Sequence, residues 1–422
     1  MNQSHVKYLL VGGGLAAGSA AEAIRRIDPN GSAMLVGQEV NRPYHRSPLS
    51  KGYLKGEMSR TDLIAEPVGW FAERDIALRT GRRVAHIDVV RHAAALDSGE
   101  EISYHQLLIA TGSLAKPLKV PGANLPNVFS LRSLLDADRL TNAIEKAKHE
   151  GRQHARGRGK AVIIGAGPLG VELAATLTQL NIAVDLLSAH DHPWRKFAGD
   201  VTGKFVLRYL EHHGVTTHMN TRIDRLDGDG RVQNVHKLDG TSLPCDFVII
   251  AIGTVANREI VHGTSITAEK AILVDDHCRT SIPNIYAAGD CAAIFDPLFN
   301  KHRLIPHWDH ARYTGSIAGT NMAGGDDKYD VVNVFDSQLF DLKMTCWGEG
   351  TLVSHRILRG TPTQENPEFV EFGVAVDGRL AQIIAVGHQS EHRHLHEMMI
   401  NRFAVNGSEE ALRDPSTALP GV

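Results

Sequence analysis

The sequence predicts an α/β protein in which one supersecondary unit, a strand, a glycine turn and a helix, occurs twice. Three observations carry this. The segments YLLVGGGLAAGSAAEAI (Tyr8–Ile24) and AVIIGAGPLGVELAATL (Ala161–Leu177) repeat one pattern. The apolar runs Tyr8–Val11 and Ala161–Ile164 are short and unbroken, as strands buried on both faces of a parallel sheet are. The alanine-rich stretches behind the glycines are strong helix formers. At 422 residues the chain exceeds one ordinary core, so two or three cores are expected.

In each unit the turn between strand and helix must be tight. Gly12 and Gly165 permit a sharp exit from the strand, Gly14 and Gly167 let backbone approach a pyrophosphate with no Cβ in the way, and Ala17 and Gly170 let the helix pack close to its strand. The helix then presents free N–H groups and its positive dipole end to the phosphates. One glycine fingerprint is a weak signal, whereas two in the same structural context imply two Rossmann-like dinucleotide-binding units. The second strand of the first unit, Ser32–Val36, is followed by Gln38 and Glu39, either of which can take the ribose-binding position. In the second unit, Ile182–Leu187 ends at Ser188, which has no carboxylate to grip a 2′-hydroxyl or repel a 2′-phosphate. His190, Arg195 and Lys196 follow, so NADPH and NADH both stay open.

Composition excludes several classes. Hydrophobic residues make up 42% and charged residues 22% of the chain, ordinary values for a globular protein. A net charge of -3 gives no field to draw the whole molecule to nucleic acid or an anionic membrane. Cys245, Cys278, Cys291 and Cys346 form no CxxC or CxxxxC pair, which fits a reducing compartment and points to the cytoplasm. The start, MNQSHVKYLLVGGG, runs from a short apolar stretch straight into glycines, unlike a secretory leader, and no stretch is long enough to span a bilayer.

The segment RPYHRSPLSKGYL (Arg42–Leu54) closely resembles the FAD-dependent pyridine nucleotide reductases of the ferredoxin reductase type, including the apoptosis-inducing-factor group. Further landmarks of that family recur in order: LLIATGS (Leu107–Ser113), VPGANLPNVFSLRSLLDAD (Val120–Asp138), AIGTVAN (Ala251–Asn257), TSIPNIYAAGD (Thr280–Asp290) and HWDHARYTGSIAGTNM (His307–Met322). The resemblance covers nearly the whole chain. It implies a glutathione reductase-like arrangement with FAD on a discontinuous domain at 1–115 and 253–325, NAD(P)H on an inserted domain at 116–252, and a C-terminal α+β domain at 326–422. Pro117, Pro121, Gly122 and Pro126 punctuate the first crossing, and Gly324-Gly325-Asp326-Asp327 reads as the linker into the last part.

Hydride transfer from nicotinamide to flavin N5 needs stacked rings, excluded water and balanced charge. By resemblance, Lys51 points at N5, where an ammonium stabilises the reduced ring, and Glu172 is its counterion. Composition alone reads Lys51 as a solvated lysine and Glu172 as an exposed glutamate. Yet Leu173, Ala174 and Ala175 follow Glu172, and a carboxylate there is costly unless paired. Arg46 is expected at the FAD pyrophosphate, since a guanidinium matches phosphate in a bidentate way. Thr111 and Gly112 lie where a strand returns toward the cofactor. Asp290 is expected to accept a hydrogen bond from a ribityl hydroxyl, with a helix cap as the plainer reading. His307 and Trp308 are placed by the resemblance against the flavin and nicotinamide face, with a buried core tryptophan as the rival. Val84, Ala110, Arg132, Pro168, Leu169, Gly253 and Gly289 complete the cofactor contacts it implies. No metal is expected.

The chain departs from the family at Pro306, where a glutamate is common, at Ala256, where a proline is common, and at Asp336 and Gln338, where FWSDQ has an aromatic and an acid. Disulfide reductases on this fold carry a redox cysteine pair where Ser47 and Ser50 stand, so a thiol relay is not expected, and Cys291 reads as a small buried residue. Electrons are expected to pass to a small iron–sulfur carrier such as a ferredoxin. The alternatives are a quinone reductase, or a redox-controlled binding protein whose oligomeric state follows slow NADH oxidation. Monomer and homodimer both fit. The basic run Lys146–Lys160 could steer an acidic partner, although a solvated loop is the plainer reading. His392 and His396 share a helical i,i+4 spacing but lack a third ligand, so they read as surface histidines.

Overall fold

The computed structural model describes residues 3–153, 157–363, 367–387 and 391–421. Contacts divide the chain into two compact units: Met1–Ser47 with Met58–Leu114 and Thr254–Val331, and Pro48–Glu57 with Ala115–Gly253 and Val332–Val422.

In the first unit the strand Gln3–Val11 lies between two parallel neighbours, Ala33–Gly37 and Glu101–Ile109, with Leu9 opposite both Met34 and Leu107. Ile76–Thr80 extends the sheet beyond Ala33–Gly37, the antiparallel pair Val84–Asp88 and Ala93–Leu96 extends it beyond Glu101–Ile109, and Ile285–Ala287 also pairs with Glu101–Ile109. The unbroken apolar run at Leu9–Val11 is thus explained: helices and strands cover it on all sides, and its residues are buried.

The helix Leu15–Ile27 buries its alanines and Ile24. Small side chains are needed because the helix Trp308–Met322 crosses it at backbone contact. A Cβ on Gly315 would meet the Ala16 carbonyl oxygen at 2.2 Å, and one on Gly319 would meet the Ala20 carbonyl oxygen at 2.3 Å. Gly315 and Gly319 are one helical turn apart, as are Ala16 and Ala20, so two flat strips face each other.

The second unit repeats the plan with Lys160–Ile164 at the centre of a parallel sheet. Its strand order is Thr216–His218, Ala183–Leu187, Lys160–Ile164, Phe247–Ile250 and Val128–Phe129. A small antiparallel sheet, Ile223–Asp227, Asn234–Lys237 and Ser242–Pro244, lies beside it in sequence. The C-terminal part is α+β, as expected. Five antiparallel strands run in the order Val334–Leu339, Leu342–Gly348, Leu380–Val386, Phe369–Ala375 and Val353–Arg359, followed by the helices His392–Ile400 and Glu409–Arg413. Glu371 joins this sheet to the helix Asp200–His212. Its buried carboxylate accepts from Gly199 N at 3.0 Å and Thr202 Oγ1 at 2.7 Å, occupying the helix N-terminus, and from Arg356 Nη1 at 2.5 Å.

Two expectations need correction. The run Lys146–Lys160 is largely not a loop, since Leu134–Gln153 is one helix whose buried face carries Leu134, Ala137, Leu140, Ile144 and Ala147 at helical spacing. Its charges are partly paired, Lys148 with Glu145 at 2.7 Å and Glu150 with Arg231 at 2.9 Å; residues 154–156 lie outside the described residues. His392 and His396 do lie on a helix, but their rings pack on the buried Trp347 at 5.3 and 6.3 Å and are not merely solvated. His388 lies outside the described residues.

Gly319→Ala should destabilise the protein by about 1–3 kcal/mol, because the added methyl meets a backbone oxygen that cannot rotate away. A melting temperature equal to that of the parent would refute the close helix crossing.

Candidate functional site

The strand Gln3–Val11 ends in Gly12, whose φ is +141°. A Cβ there would sit 2.0 Å from the Ala110 carbonyl oxygen, at the end of the neighbouring strand, so no other residue fits. Gly14 is different. It is the extended N-cap of the helix Leu15–Ile27, carries no side-chain cap, and a Cβ on it would meet nothing within 4 Å. The first-turn N–H groups of the helix therefore open onto space that the absent side chain leaves clear. That is the arrangement a pyrophosphate requires.

Beyond the next strand, Gln38 is exposed and Glu39 half-buried. Glu39 accepts from Tyr44 Oη at 2.7 Å and from Arg46 Nη2 at 2.5 Å, and Arg46 Nη1 donates to Tyr44 Oη at 2.8 Å. The structure therefore pairs with each other two residues that the sequence assigns to separate parts of the cofactor, and Tyr44, which sequence reasoning left out, closes the ring of contacts. The return strand delivers Ala110, buried, then Thr111, whose Oγ1 donates to the Asn257 carbonyl at 2.5 Å, and Gly112 at φ +72°. Ser113 Oγ donates to the buried Asp290 at 2.7 Å, and Gly289 approaches Ala16 so closely that its Cβ would lie 3.1 Å from that methyl. Asp290 lies inside the short 3-10 helix Gly289–Cys291 and is not its cap, which removes the plainer reading.

Also in the first unit, Val84 is buried at the start of its strand. His307 is the N-cap residue of the helix Trp308–Met322. Trp308, the first helical residue, is half-buried, with the Arg312 guanidinium 6.0 Å from its ring centre, so it is not a core tryptophan. Burial and then the charge of Arg312 lower the His45 pKa.

The second glycine turn repeats the first within the other unit. Gly165 has φ +114° and a Cβ would meet the Ala251 carbonyl oxygen at 2.4 Å. Gly167 is an uncapped extended N-cap with open space around its missing Cβ, Pro168 and Leu169 begin the helix, and a Cβ on Gly170 would strike the Gly165 carbonyl oxygen at 1.9 Å. Pro168 suits the helix start because its N–H would have no intrahelical partner there. Ser188 is buried at the strand end and its Oγ accepts from His190 N at 3.1 Å. Arg195 lies 3.5 Å from Asp191, an acid the sequence reading passed over, so part of its charge is neutralised. Arg132 and Gly253 lie in the same unit, Gly253 at φ +103°.

The second unit also holds a buried ionic cluster. Pro48–Glu57 contributes Ser50 and Lys51, and the helix Pro168–Gln179 contributes Glu172 and, one turn on, Thr176. Glu172 Oε2 accepts from Lys51 Nζ at 2.9 Å and Ser50 Oγ at 2.8 Å, while Thr176 Oγ1 holds the Ser50 carbonyl at 2.7 Å. The Ser50–Lys51 step is thus gripped by two side chains on one helix face. Tyr53 Oη anchors the same segment to Asp138 at 2.6 Å. Glu172 is 7% exposed, which makes the partner a requirement. The sequence motif pointed to Lys51 and Glu172; Ser50 was noted only as a non-cysteine, and Ser337, whose Oγ reaches Glu172 Oε1 at 3.0 Å, gave no signal from 165 residues away.

None of the four cysteines is in a disulfide. Cys291 is fully buried and its thiol is pushed above its ordinary value by that burial; Cys278 behaves alike, and Cys245 is raised to about 12 for the same reason. None of these three can form a thiolate readily at neutral pH. Among the described residues, no helix is long and apolar enough to cross a membrane.

The chain is similar to known proteins over most of its length. The model of the family described as pyridine nucleotide-disulphide oxidoreductase matches residues 6–315. The 5,5'-dehydrodivanillate O-demethylase ferredoxin reductase subunit of Sphingobium sp. is 30% identical over 361 residues, 85% of each chain. The monodehydroascorbate reductase of Solanum lycopersicum is 30% identical over 407 residues, 90% of each chain. Among solved structures, the chain matches one from the covalent putidaredoxin reductase–putidaredoxin complex with a TM-score of 0.88 and 26% identity, covering 95% of this chain and 94% of that one.

Substitutions at the glycines separate binding from folding. Gly14→Val has room for its side chain and should leave the melting temperature within a few degrees of the parent, yet abolish retention of FAD. Gly167→Val should keep the flavin and weaken NAD(P)H binding by about tenfold or more, a loss of roughly 1.4 kcal/mol. Flavin absorbance of the purified variants and a nicotinamide titration give both answers, and a Gly14→Val protein with full flavin content would refute the assigned cradle.

Proposed function

The chain belongs to the pyridine nucleotide-disulphide oxidoreductase family and is an FAD-dependent NAD(P)H oxidoreductase, and from that premise we propose that it delivers its electrons to a ferredoxin. The observation that carries the proposal is the pairing of Lys51 with the buried Glu172, the lysine coming from a segment where Ser47 and Ser50 stand and no cysteine is present. Without a thiol beside the flavin there is nothing for a disulfide relay to use, so electrons leave the cofactor directly. The likeness to a ferredoxin reductase subunit over 85% of both chains, and to a reductase solved with its putidaredoxin, supports a small iron–sulfur protein as the acceptor.

FAD, when bound, would supply the redox chemistry that links a two-electron nicotinamide donor to a one-electron acceptor. The protein supplies position and charge. We assign the first glycine turn, with Gly12, Gly14, Ala17, Glu39, Arg46, Asp290 and the Thr111–Gly112 return, to FAD, and the second, with Gly165, Gly167, Gly170 and Ser188, to NAD(P)H. Lys51 balances the negative charge that develops at the reacting nitrogen, and Glu172 holds it there. Trp308 would serve as the aromatic side chain on the flavin side, as the family resemblance implies. The division of labour is a FAD domain at 1–115 and 253–325, an NAD(P)H domain at 116–252 and a C-terminal domain at 326–422. Cysteines held in no disulfide support a cytoplasmic location.

The 30% identity to a monodehydroascorbate reductase favours one second reading, in which the acceptor is a small organic molecule, a quinone included. Anaerobic stopped-flow mixing decides. Flavin reduced with NADH or NADPH should reoxidise rapidly on mixing with a ferredoxin, and Lys51→Ala should slow flavin reduction by about tenfold or more, the size of one lost charge-assisted hydrogen bond. Rapid transfer to a quinone with none to any ferredoxin would overturn the acceptor. A long-lived reduced complex with an altered oligomer size would instead indicate a redox switch.

A further inference from the structure

The Glu172 carboxylate is held from two directions, and only one of them involves the lysine. Oε2 takes the hydroxyl of Ser50 and the ammonium of Lys51. Oε1 takes the hydroxyl of Ser337 at 3.0 Å, and Ser337 comes from the strand Val334–Leu339 at the start of the C-terminal sheet. Ser50, Glu172 and Ser337 are all buried, whereas the Lys51 side chain keeps 27% of its exposure. Ser337 faces inward between the exposed Asp336 and Gln338, as the alternation of a strand requires. Its register is fixed by pairing with Met344.

A buried carboxylate uses whatever donors it has. With Ser337 occupying Oε1, the carboxylate offers Lys51 a single oxygen, and the remaining ammonium hydrogens stay available. Without that hydroxyl, Oε1 is a buried acceptor that has lost its donor, and the ammonium already bound at Oε2 has three hydrogens and a flexible stem. The carboxylate would then take the ammonium with both oxygens and draw it off. We infer that Ser337 is a positioning residue for the hydride-transfer reaction: it fixes the Glu172 carboxylate so that Lys51 is bound through Oε2 alone, which keeps the other ammonium hydrogens available for the charge-balancing role proposed for Lys51. The inference rests on the proposed role of Lys51.

The test is a double-mutant cycle on the FAD-loaded protein, with flavin content and melting temperature measured to confirm folding. Ser337→Ala should slow flavin reduction by NAD(P)H about tenfold, and lower the flavin midpoint potential because less positive charge stays beside the reduced ring. Ser337→Thr, which restores the hydroxyl, should return both to within about twofold of the parent. In a Glu172→Gln background, Ser337→Ala should change either quantity by less than about twofold, since it acts through Glu172. A rate and potential unchanged by Ser337→Ala, or an equal loss with Gln at position 172, would overturn the inference. If Ser337→Ala cannot hold FAD, the comparison of Ser337→Thr with Ser337→Cys decides on the same two readouts, the thiol being the weaker donor. Should Lys51→Ala itself leave reduction untouched, both the proposed role of the pair and this inference fail; a Lys51→Ala effect without a Ser337 effect removes this inference alone.

Discussion

The structure depends on two places where a carbonyl oxygen at a strand end leaves no room for a side chain on the neighbouring strand. Ala110 sets this limit for Gly12 and Ala251 sets it for Gly165. Each forces a glycine with positive φ, the positive φ turns the chain sharply, and the turn aims a helix N-terminus at open space in front of the sheet. The parallel sheets, with strands apolar on both faces, are the rigid support that makes the turn reproducible. The proposed dinucleotide cradles begin where this constraint ends, at Gly14 and Gly167, where an added Cβ would meet nothing within 4 Å.

The Lys51–Glu172 pair obeys the opposite logic. Burial of an isolated carboxylate is costly, so its stability depends on donors gathered from two separate stretches of the chain, Ser50 with Lys51 in one and Ser337 in the other. Such a cluster is over-determined by packing, and that is what gives a flexible lysine a defined position. The same economy appears at Glu371, whose carboxylate satisfies a helix N-terminus, a threonine and an arginine at once.

The fold was legible in the sequence because local chemistry specifies it: an apolar run, a glycine triplet and alanine-rich helices leave few alternatives. Lys51 and Glu172 were legible because motif and burial cost agree on them. What could not be read depends on distant partners. Nothing near Gly315 or Gly319 says that a helix nearly three hundred residues earlier would lie against them, and Ser337 looks like any other strand serine until Glu172 is placed beside it. Glu39 and Arg46 were read as separate contacts because the hydroxyl of Tyr44 between them has no signature of its own. The helix through Lys146 was obscured by its charges, although its buried face keeps the helical period.

The central claim is that each glycine turn serves one dinucleotide, and counting them tests it most directly. Protein purified under mild conditions should release, on denaturation, one FAD per chain, and the native flavoprotein should titrate with one further equivalent of NAD(P)H. A colourless protein that takes up no FAD on reconstitution, or one that binds a single dinucleotide in total, would contradict it.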